Sequence, residues 1–270
     1  MTGTESAAGR IDTSRPHPAR VYDWYLGGKD NYPVDEQLGE HIMSLDPGAK
    51  RAARSNRWFM QRTIRHLVRA AGIRQFLDIG TGIPTEPNLH QIAQRTAPDA
   101  RVVYVDNDPI VLAHAEALLR GTPEGVTQYL QADAREPHKI LDEAGRILDF
   151  DRPMALSLIA LMHFIADESG AYELVETLVD ALAPGSFLVL STMTADFEAE
   201  NVRRGIETYA RAGVTLVGRS HTEVSRFFKG LELVEPGIVS VKDWHPELAE
   251  DETPLGDGPV SLYGGVGLKA

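Results

Sequence analysis

The stretch FLDIGTGIPTEPNLHQIA, residues 76–93, decides the fold of this chain. It follows the pattern of a buried strand that turns through Gly80 and Gly82 into a helix. This order is typical of nucleotide-binding α/β folds, because backbone N–H groups at such a turn and at the helix start can receive a polar or anionic ligand. The identity of the ligand depends on the residues around the two glycines.

Two kinds of phosphate-binding loop fit this turn poorly. A P-loop ends in G-K-[ST], and the chain has no lysine between Lys50 and Lys139. A dinucleotide loop has a small third residue, so that helix and strand pack closely beneath the pyrophosphate. Thr85 stands at that position between Pro84 and Pro87. These residues argue against a P-loop and weaken the case for NAD without excluding it.

S-adenosylmethionine is the third candidate, and it carries no phosphate. The backbone of Gly80, Thr81 and Gly82 then has to receive only a carboxylate and the edge of a ribose, so a third glycine is unnecessary. Asp78 stands two residues before the first glycine. Its carboxylate suits the ammonium and sulfonium groups of the methionyl end.

Two further acids end the next two strands. VYVDNDP puts Asp106, followed by Asn107, at the carboxyl end of its strand, where open α/β sheets bind ligands and a carboxylate can accept both ribose hydroxyls. QADAREP puts Asp133 where it can accept from the adenine amine, and Ala134 leaves room for the ring. Asp133 has the alternative role of capping a turn. Asp108, before a proline, is typical of a helix N-cap.

Strands and helices alternate after residue 72, which predicts a parallel sheet. The last two β-rich runs, LELVEPGIVSVKDW and VSLYGGVGLK, are joined by an acidic loop without a helix, which favours an antiparallel pair. We therefore predict an α/β fold with a Rossmann-like, seven-stranded, mostly parallel sheet and one antiparallel strand. We expect a disordered tail over 1–18, a helical N-terminal cap or lid over 19–72, and the ligand-binding domain over 73–270.

The composition of the chain limits the kinds of partner that it can bind. The 39 acidic and 27 basic residues give a net charge of −12, which repels nucleic acid and anionic lipid. The longest apolar run, MALSLIALMHFIA at 154–166, is shorter than the roughly 20 residues that span a bilayer and reads as an interior strand. There is no cysteine, so thiolate metal sites are excluded and a cytoplasmic location is favoured. We expect neither metal, nucleic acid nor membrane as a partner, and the sequence does not indicate an oligomeric state.

The motifs DIGTGIPT, VYVDNDP, QADARE and ALMHFIADE, in this order, resemble class I S-adenosylmethionine-dependent methyltransferases. The N-terminal ARVYDWYLGGKDNYPVDEQ narrows the resemblance to the actinobacterial S-adenosyl methyltransferase family, long described as a domain of unknown function. The resemblance covers nearly the whole chain from Pro18 onward. It implies a class I fold, S-adenosylmethionine as cofactor and methyl transfer, with no known acceptor. A non-catalytic S-adenosylmethionine-binding protein and an NAD-dependent oxidoreductase remain alternatives.

His163 is the candidate catalytic residue. The fourth strand is expected to bring it to the carboxyl edge of the sheet beside the methyl group, where histidine suits a general base. A histidine at the end of an apolar strand also commonly packs against its neighbours. The [DNS]-P-P-[YF] motif of nucleic-acid amino-methylating enzymes, the paired-glutamate loop of arginine methyltransferases and the acid clusters of magnesium-dependent enzymes are missing. A small organic acceptor is therefore predicted.

The segment YDWYLGGKDNY, Tyr22 to Tyr32, has two interpretations. It can be a helix that packs on the domain and ends at a glycine C-cap. It can also be a lid, because aromatic faces attract a sulfonium and the glycine pair lets the backbone bend. We expect a lid. Its predicted contacts with cofactor or acceptor come from Tyr22, Tyr25, Gly27, Gly28, Asn31 and Tyr32.

Overall fold

The computed structural model describes residues 12–111, 121–250, 252–253 and 255–270. Three helices come first, α1 (Pro18–Leu26), α2 (Pro33–Leu45) and α3 (Ala49–Arg69). The later helices are α4 (Leu89–Thr96), α5 (Pro137–Ala144), α6 (Ala171–Asp180), α7 (Ala199–Arg211) and α8 (His221–Ser225). The predicted helix over residues 109–119 lies outside the described residues from residue 112 onward.

The strands form one mixed sheet in the order β3-β2-β1-β4-β5-β8-β6, with β7 also paired to β8. The pairs among β1 to β5 are parallel, and β8 runs antiparallel to β5, β6 and β7. Their bounds are β1 (Gln75–Ile79), β2 (Arg101–Asp106), β3 (Val126–Gln131), β4 (Ala155–Ile159), β5 (Phe187–Met193), β6 (Glu232–Leu233), β7 (Val239–Ser240) and β8 (Leu262–Leu268). The predicted Rossmann-like class is confirmed.

The predicted sixth strand is two short strands, β6 and β7, so the described residues form a sheet of eight strands where seven were predicted. Pro236 between them has no N–H to donate to a ladder. Gly237 has a φ of 87° and donates its N–H to the carbonyl oxygen of Val234 at 2.8 Å. This turn separates the two pieces.

The apolar run 154–166 is also not a single strand. β4 ends at Ile159, Ala160 takes a left-handed φ of 54°, and Met162–Phe164 form a 3-10 turn. Arg219, buried at 1% exposure, fixes this turn by donating to the carbonyl oxygens of Met162 at 2.6 Å and Ile165 at 2.8 Å. The polypeptide after β4 is therefore a braced turn at the carboxyl end of the sheet.

Hydrophobic side chains bury both faces of the sheet, as the apolar run in β1 requires. Phe76 belongs to one core and the next residue, Leu77, to the other, because successive strand side chains point to opposite faces. Phe59 and Leu67 of α3 lie in the same core as Phe76. The last helix of segment 19–72 thus shares its packing with the sheet.

The helices α1 and α2 form a third apolar cluster with α3, α7 and the loop that follows α7. Its buried members include Val21, Ile42 and Tyr209. Among the described residues, no helix is both long enough and apolar enough to cross a bilayer.

Replacing Arg219 with Met should lower the free energy of unfolding by about 2–4 kcal/mol, because the turn after β4 loses a buried, charged donor. Urea denaturation measures this loss. Arg226→Met is the matched control: Arg226 is exposed and stacks over the Tyr172 ring at 3.8 Å, so its loss should stay below about 1 kcal/mol. Equal losses in the two variants would contradict the bracing role.

Candidate active site

One cavity of about 420 Å³ lies at the carboxyl ends of β1, β2 and β4, and we call it the large cavity. The residues predicted to bind the cofactor all line it: Asp78, Gly80, Thr81, Gly82, Asp106, Asn107, Asp133 and Ala134. The first turn of α1 contributes further walls through His17, Pro18 and Ala19. The structure therefore brings the separate sequence motifs together in one place.

The glycine turn is bound to the neighbouring strand. Gly80 and Gly82 have φ values of 76° and 67°, a region that favours glycine. The N–H groups of Gly80 and Thr81 donate to the carbonyl oxygen of Val105 at 2.8 and 3.2 Å, and that of Gly82 donates to Asp106 Oδ2 at 2.8 Å. The expectation that these N–H groups receive a ligand carboxylate is therefore wrong for this structure, because all three are already bonded.

Asp78 opens onto the large cavity beside the glycine turn. Its Oδ2 accepts from Thr81 Oγ1 at 3.3 Å. Burial raises the pKa of this carboxyl to about 6, although a hydrogen bond from Ser157 and the positive charge of Arg57 oppose the shift. A buried carboxyl in this state gains from a cationic ligand, which would favour its ionised form.

Asp106 is buried at the end of β2 with two backbone partners. Oδ2 accepts from Gly82, and Oδ1 accepts from the N–H of Asp108 at 3.0 Å. Burial raises the pKa of Asp106, and the two backbone donors oppose that shift. A carboxylate has about four lone-pair sites, so this one keeps capacity for hydroxyl donors of a ribose.

The carboxylate of Asp133 already accepts hydrogen bonds from its neighbour Arg135, a contact that the sequence motif did not indicate. Arg135 donates through Nε to Oδ1 at 2.9 Å and through Nη2 to Oδ2 at 2.6 Å. These bonds lower the pKa of Asp133, and the amide of Asn107 adds to the effect. The carboxylate of Asp133 therefore lines the large cavity while it is ion-paired with Arg135.

Asp108 caps the next helix, as predicted, by accepting from the N–H of Ile110 at 3.0 Å. Its second oxygen meets His17 Nδ1 at 3.1 Å and Arg20 Nε at 3.4 Å. Asp35 accepts from the N–H of His17 at 2.8 Å and lies 3.7 Å from Arg20. These contacts attach the start of α1 to the end of β2 at the edge of the large cavity.

Arg57 on α3 lines the large cavity, although no sequence motif points to it. It donates to the carbonyl oxygens of Thr85 and Pro87, and burial lowers its pKa. Nothing local distinguishes it from the other arginines of α3. Only the packing of α3 on the sheet turns this one toward Asp78.

A second, smaller cavity of about 110 Å³ adjoins the first, and we call it the small cavity. The two share four wall residues, Pro18, Tyr22, Ala160 and Phe164. Tyr22 is fixed at this boundary: its hydroxyl accepts from Asn56 Nδ2 and donates to the carbonyl oxygen of Ala53, each at 3.0 Å. The junction of the two cavities is therefore a defined, largely apolar wall.

His163 lines the small cavity and not the large one. Its Nδ1 accepts from the N–H of Met193 at 3.3 Å, so the neutral ring carries its proton on Nε2. Burial, with a further contribution from Arg219, lowers the pKa of His163 to about 3. This arrangement does not suit the predicted general base, because the unprotonated nitrogen is already occupied.

Only part of the predicted lid reaches a cavity. Tyr22 lines both cavities and Tyr25 the small one, whereas the four other predicted residues of this segment, Gly27, Gly28, Asn31 and Tyr32, line neither.

The glycine pair of this segment ends α1. Gly27, with a φ of 83°, is its left-handed C-cap, which confirms the packing-helix interpretation of the local structure. Asp23 accepts from the N–H of Asp30 at 3.0 Å and from Asn31 Nδ2 at 2.8 Å, and a Cβ at Gly28 would lie within 2.5 Å of that carboxylate. The two glycines therefore have a structural role in the turn that ends α1. Closure of this segment over a ligand stays a prediction.

Within the described ranges, no group of three or more His, Asp or Glu side chains could hold a metal ion.

A family model described as S-adenosyl methyltransferase matches residues 4–270. A DUF574 family protein from Streptomyces avermitilis is 48% identical, with a TM-score of 0.92 over 97% of this chain and 100% of that one. A putative methyltransferase from Thermobifida fusca is 39% identical, with a TM-score of 0.87 over 96% of each chain.

More distant solved structures share the fold. A SAM-dependent methyltransferase from Anabaena variabilis, 13% identical, has a TM-score of 0.50 over 94% of this chain and 96% of that one. A search of curated proteins found no match.

The ionisation of Asp78 should make cofactor binding depend on pH. Because its pKa is about 6, the ionised fraction rises about tenfold between about pH 5 and pH 7. The affinity for S-adenosylhomocysteine, whose ammonium favours the charged carboxylate, should rise by about the same factor over this interval. Calorimetry at several pH values measures it.

The Asp78→Asn variant is the control for this pH dependence. It should bind S-adenosylhomocysteine more weakly at about pH 7, with little change in affinity between about pH 5 and pH 7. A pH dependence that persists in the variant would assign the titration to another group.

Proposed function

We propose that this chain, which belongs to the S-adenosyl methyltransferase family, holds its cofactor in the large cavity and methylates a small organic molecule. The predicted activity, S-adenosylmethionine-dependent methyl transfer, is confirmed by the family. Membership of this family decides against the two alternatives, a non-catalytic S-adenosylmethionine-binding protein and an NAD-dependent oxidoreductase. An actinobacterial source and a cytoplasmic location stay predictions.

The proposed position of the cofactor rests on two side chains of opposite charge, Asp78 and Arg57. Both residues line the large cavity, and neither has the other within ion-pair distance among the described contacts. The methionyl end of the cofactor is a zwitterion with an ammonium and a carboxylate. Asp78 is suited to the ammonium and Arg57 to the carboxylate, which the bonded N–H groups of the glycine turn cannot receive.

The adenosine end then lies toward β2 and β3. Asp106 has lone pairs left for the ribose hydroxyls, and Ala134 leaves space for the adenine ring beside the Asp133–Arg135 pair. The volume of about 420 Å³ falls within the range usual for cofactor sites. Asp78, Asp106, Asp133 and Ala134 keep their predicted roles under this placement. Arg57 replaces the N–H groups of the glycine turn as the partner of the methionyl carboxylate.

The cofactor supplies a methyl group already made electrophilic by its sulfonium. The protein has to align the acceptor with this carbon and exclude water. Tyr22 and Phe164 stand between the two cavities, where aromatic faces attract a sulfonium and their bulk displaces solvent. The acceptor's lone pair forms the bond to the methyl carbon as the carbon–sulfur bond breaks, and S-adenosylhomocysteine leaves with that electron pair. The proton of a neutral acceptor is released to solvent after the transfer.

A small acceptor agrees with the size and charge of the molecule. The small cavity has about 110 Å³, which is too little for a flipped nucleotide with its backbone. The net charge of −12 also disfavours polyanions.

The Arg57→Met variant should separate the two ends of the cofactor. Affinity for S-adenosylhomocysteine should fall more than about tenfold, because a charged hydrogen bond to the methionyl carboxylate is lost. Affinity for adenosine, which has no methionyl group, should change less than about twofold. Calorimetry with both ligands measures the contrast.

Arg54→Met is the control, since Arg54 is exposed on the same helix. It should leave both affinities unchanged. A parallel loss of both ligands in Arg57→Met would mean that Arg57 only supports the loop at Thr85 to Pro87.

The acceptor class is tested by label transfer. The protein is incubated with methyl-labelled S-adenosylmethionine and a cell extract that is then divided into small molecules, protein and nucleic acid. Label should enter the small-molecule fraction and be absent when the protein is omitted. Enzyme-dependent label in protein or nucleic acid alone would overturn the proposed acceptor.

A further inference from the structure

The small cavity is a second built site with nothing in the described chain to fill it. Its walls come from α1, α2, α3 and α7 together with the turn after β4 and residues around β5 and β8. They are almost entirely apolar, with the rings of Tyr22, Tyr25, Phe164 and Tyr209 prominent among them. Apolar walls with a few placed polar groups are typical of small-molecule sites.

His163 supplies a hydrogen-bond donor to this cavity. The residue is 95% buried, at 5% exposure, and its Nδ1 edge is held against the backbone of Met193. The opposite edge carries Nε2–H, which has no hydrogen-bond partner in the described part of the chain. A donor in the wall of a cavity that has no protein partner is available to an acceptor atom of a ligand.

The charges around the cavity do not suit an ionic ligand. No lysine or arginine is among the residues that line it, so an anion would have no countercharge. The one acid in the wall, Asp46, already accepts from the N–H of Gly48 at 2.8 Å. The side chain of His163 is neutral for the reasons given above.

The volume sets the size of the ligand. One water needs about 10–15 Å³ on this measure, so about 110 Å³ holds roughly seven to eleven non-hydrogen atoms. That is one substituted ring.

We propose that the small cavity binds the methyl acceptor as an uncharged, single-ring molecule whose oxygen or nitrogen accepts a hydrogen bond from His163 Nε2–H. This assignment rests on the proposed placement of the cofactor in the large cavity. The two cavities share Tyr22, Ala160 and Phe164, so the small cavity lies directly against the proposed cofactor site. His163 is a positioning residue, and the helices that precede the sheet form part of the wall of the acceptor site.

The test uses size-matched probes on protein saturated with S-adenosylhomocysteine. Ligand-observed NMR titration compares 4-methylphenol with 4-methylbenzoate, which is anionic, and 4-methylbenzylamine, which is cationic. The neutral phenol should bind at least about tenfold more tightly than either ion. Tighter binding of an ion, or no binding of the phenol, would overturn the proposed acceptor class.

Gly205 on α7 provides a variant that fills the cavity. It lines the small cavity, and a Cβ added there meets no atom within 4 Å. Gly205→Leu should therefore weaken 4-methylphenol binding at least about tenfold. Ala210→Leu, exposed on the same helix, should change it less than about twofold. Equal effects of the two substitutions would place the probe elsewhere.

His163→Phe tests the donor with a second pair of probes. It should weaken 4-methylphenol about three- to tenfold, the range for one neutral hydrogen bond, and leave toluene unchanged because toluene has no acceptor atom. Equal losses for both would assign His163 a packing role only.

Affinity for S-adenosylhomocysteine, measured in each variant by calorimetry, separates this inference from the proposed function. Failure of the wild-type protein to bind S-adenosylhomocysteine would refute the cofactor placement, and the acceptor assignment that rests on it would fail too. Intact cofactor binding without any occupant of the small cavity would refute the acceptor assignment alone.

Discussion

The carboxylate of Asp106 is the contact on which the rest of the site depends. It accepts the N–H of Gly82 from the turn after β1 and the N–H of Asp108 from its own loop. It therefore fixes two neighbouring strand ends in one arrangement. Asp108, held in this way, receives His17 and Arg20, which brings α1 over the large cavity. The N-terminal helices, the turn and the cavity are thus connected through one buried acid.

The motifs near strand ends predicted much of this arrangement, and the reason is geometric. A parallel sheet brings the carboxyl ends of its strands to one edge, so Asp78, Asp106 and Asp133 had to converge once β1, β2 and β3 were recognised. Arg57 could not be found in this way, because its position depends on how α3 packs against the sheet. The hydrogen-bond partner of each carboxylate could not be predicted from the sequence either. The Arg135 pair on Asp133 and the bonded N–H groups of the turn are properties of the folded loops.

His163 shows why an apolar run is a poor guide to where a strand ends. The periodicity of residues 154–166 gives no sign of a break, yet Ala160 turns the backbone and Arg219 holds the turn through main-chain carbonyls. That turn places His163 in the wall of the small cavity and not in the wall of the large one. Its surroundings make it neutral, and this converts a residue type associated with proton removal into a donor.

The charges that line the large cavity also bear on how the enzyme distinguishes its cofactor from the spent product. Three carboxylates, Asp78, Asp106 and Asp133, meet two guanidinium groups, and Arg135 is committed to Asp133. Burial raises the pKa of Asp78 and of Asp106, so a cationic ligand that favours their ionised forms is stabilised beside them. S-adenosylmethionine has a sulfonium that the thioether product lacks, so under the proposed placement it gains an attraction to these carboxylates that the product does not. Under the proposed placement, the transferred methyl group takes with it the positive charge that these carboxylates attract.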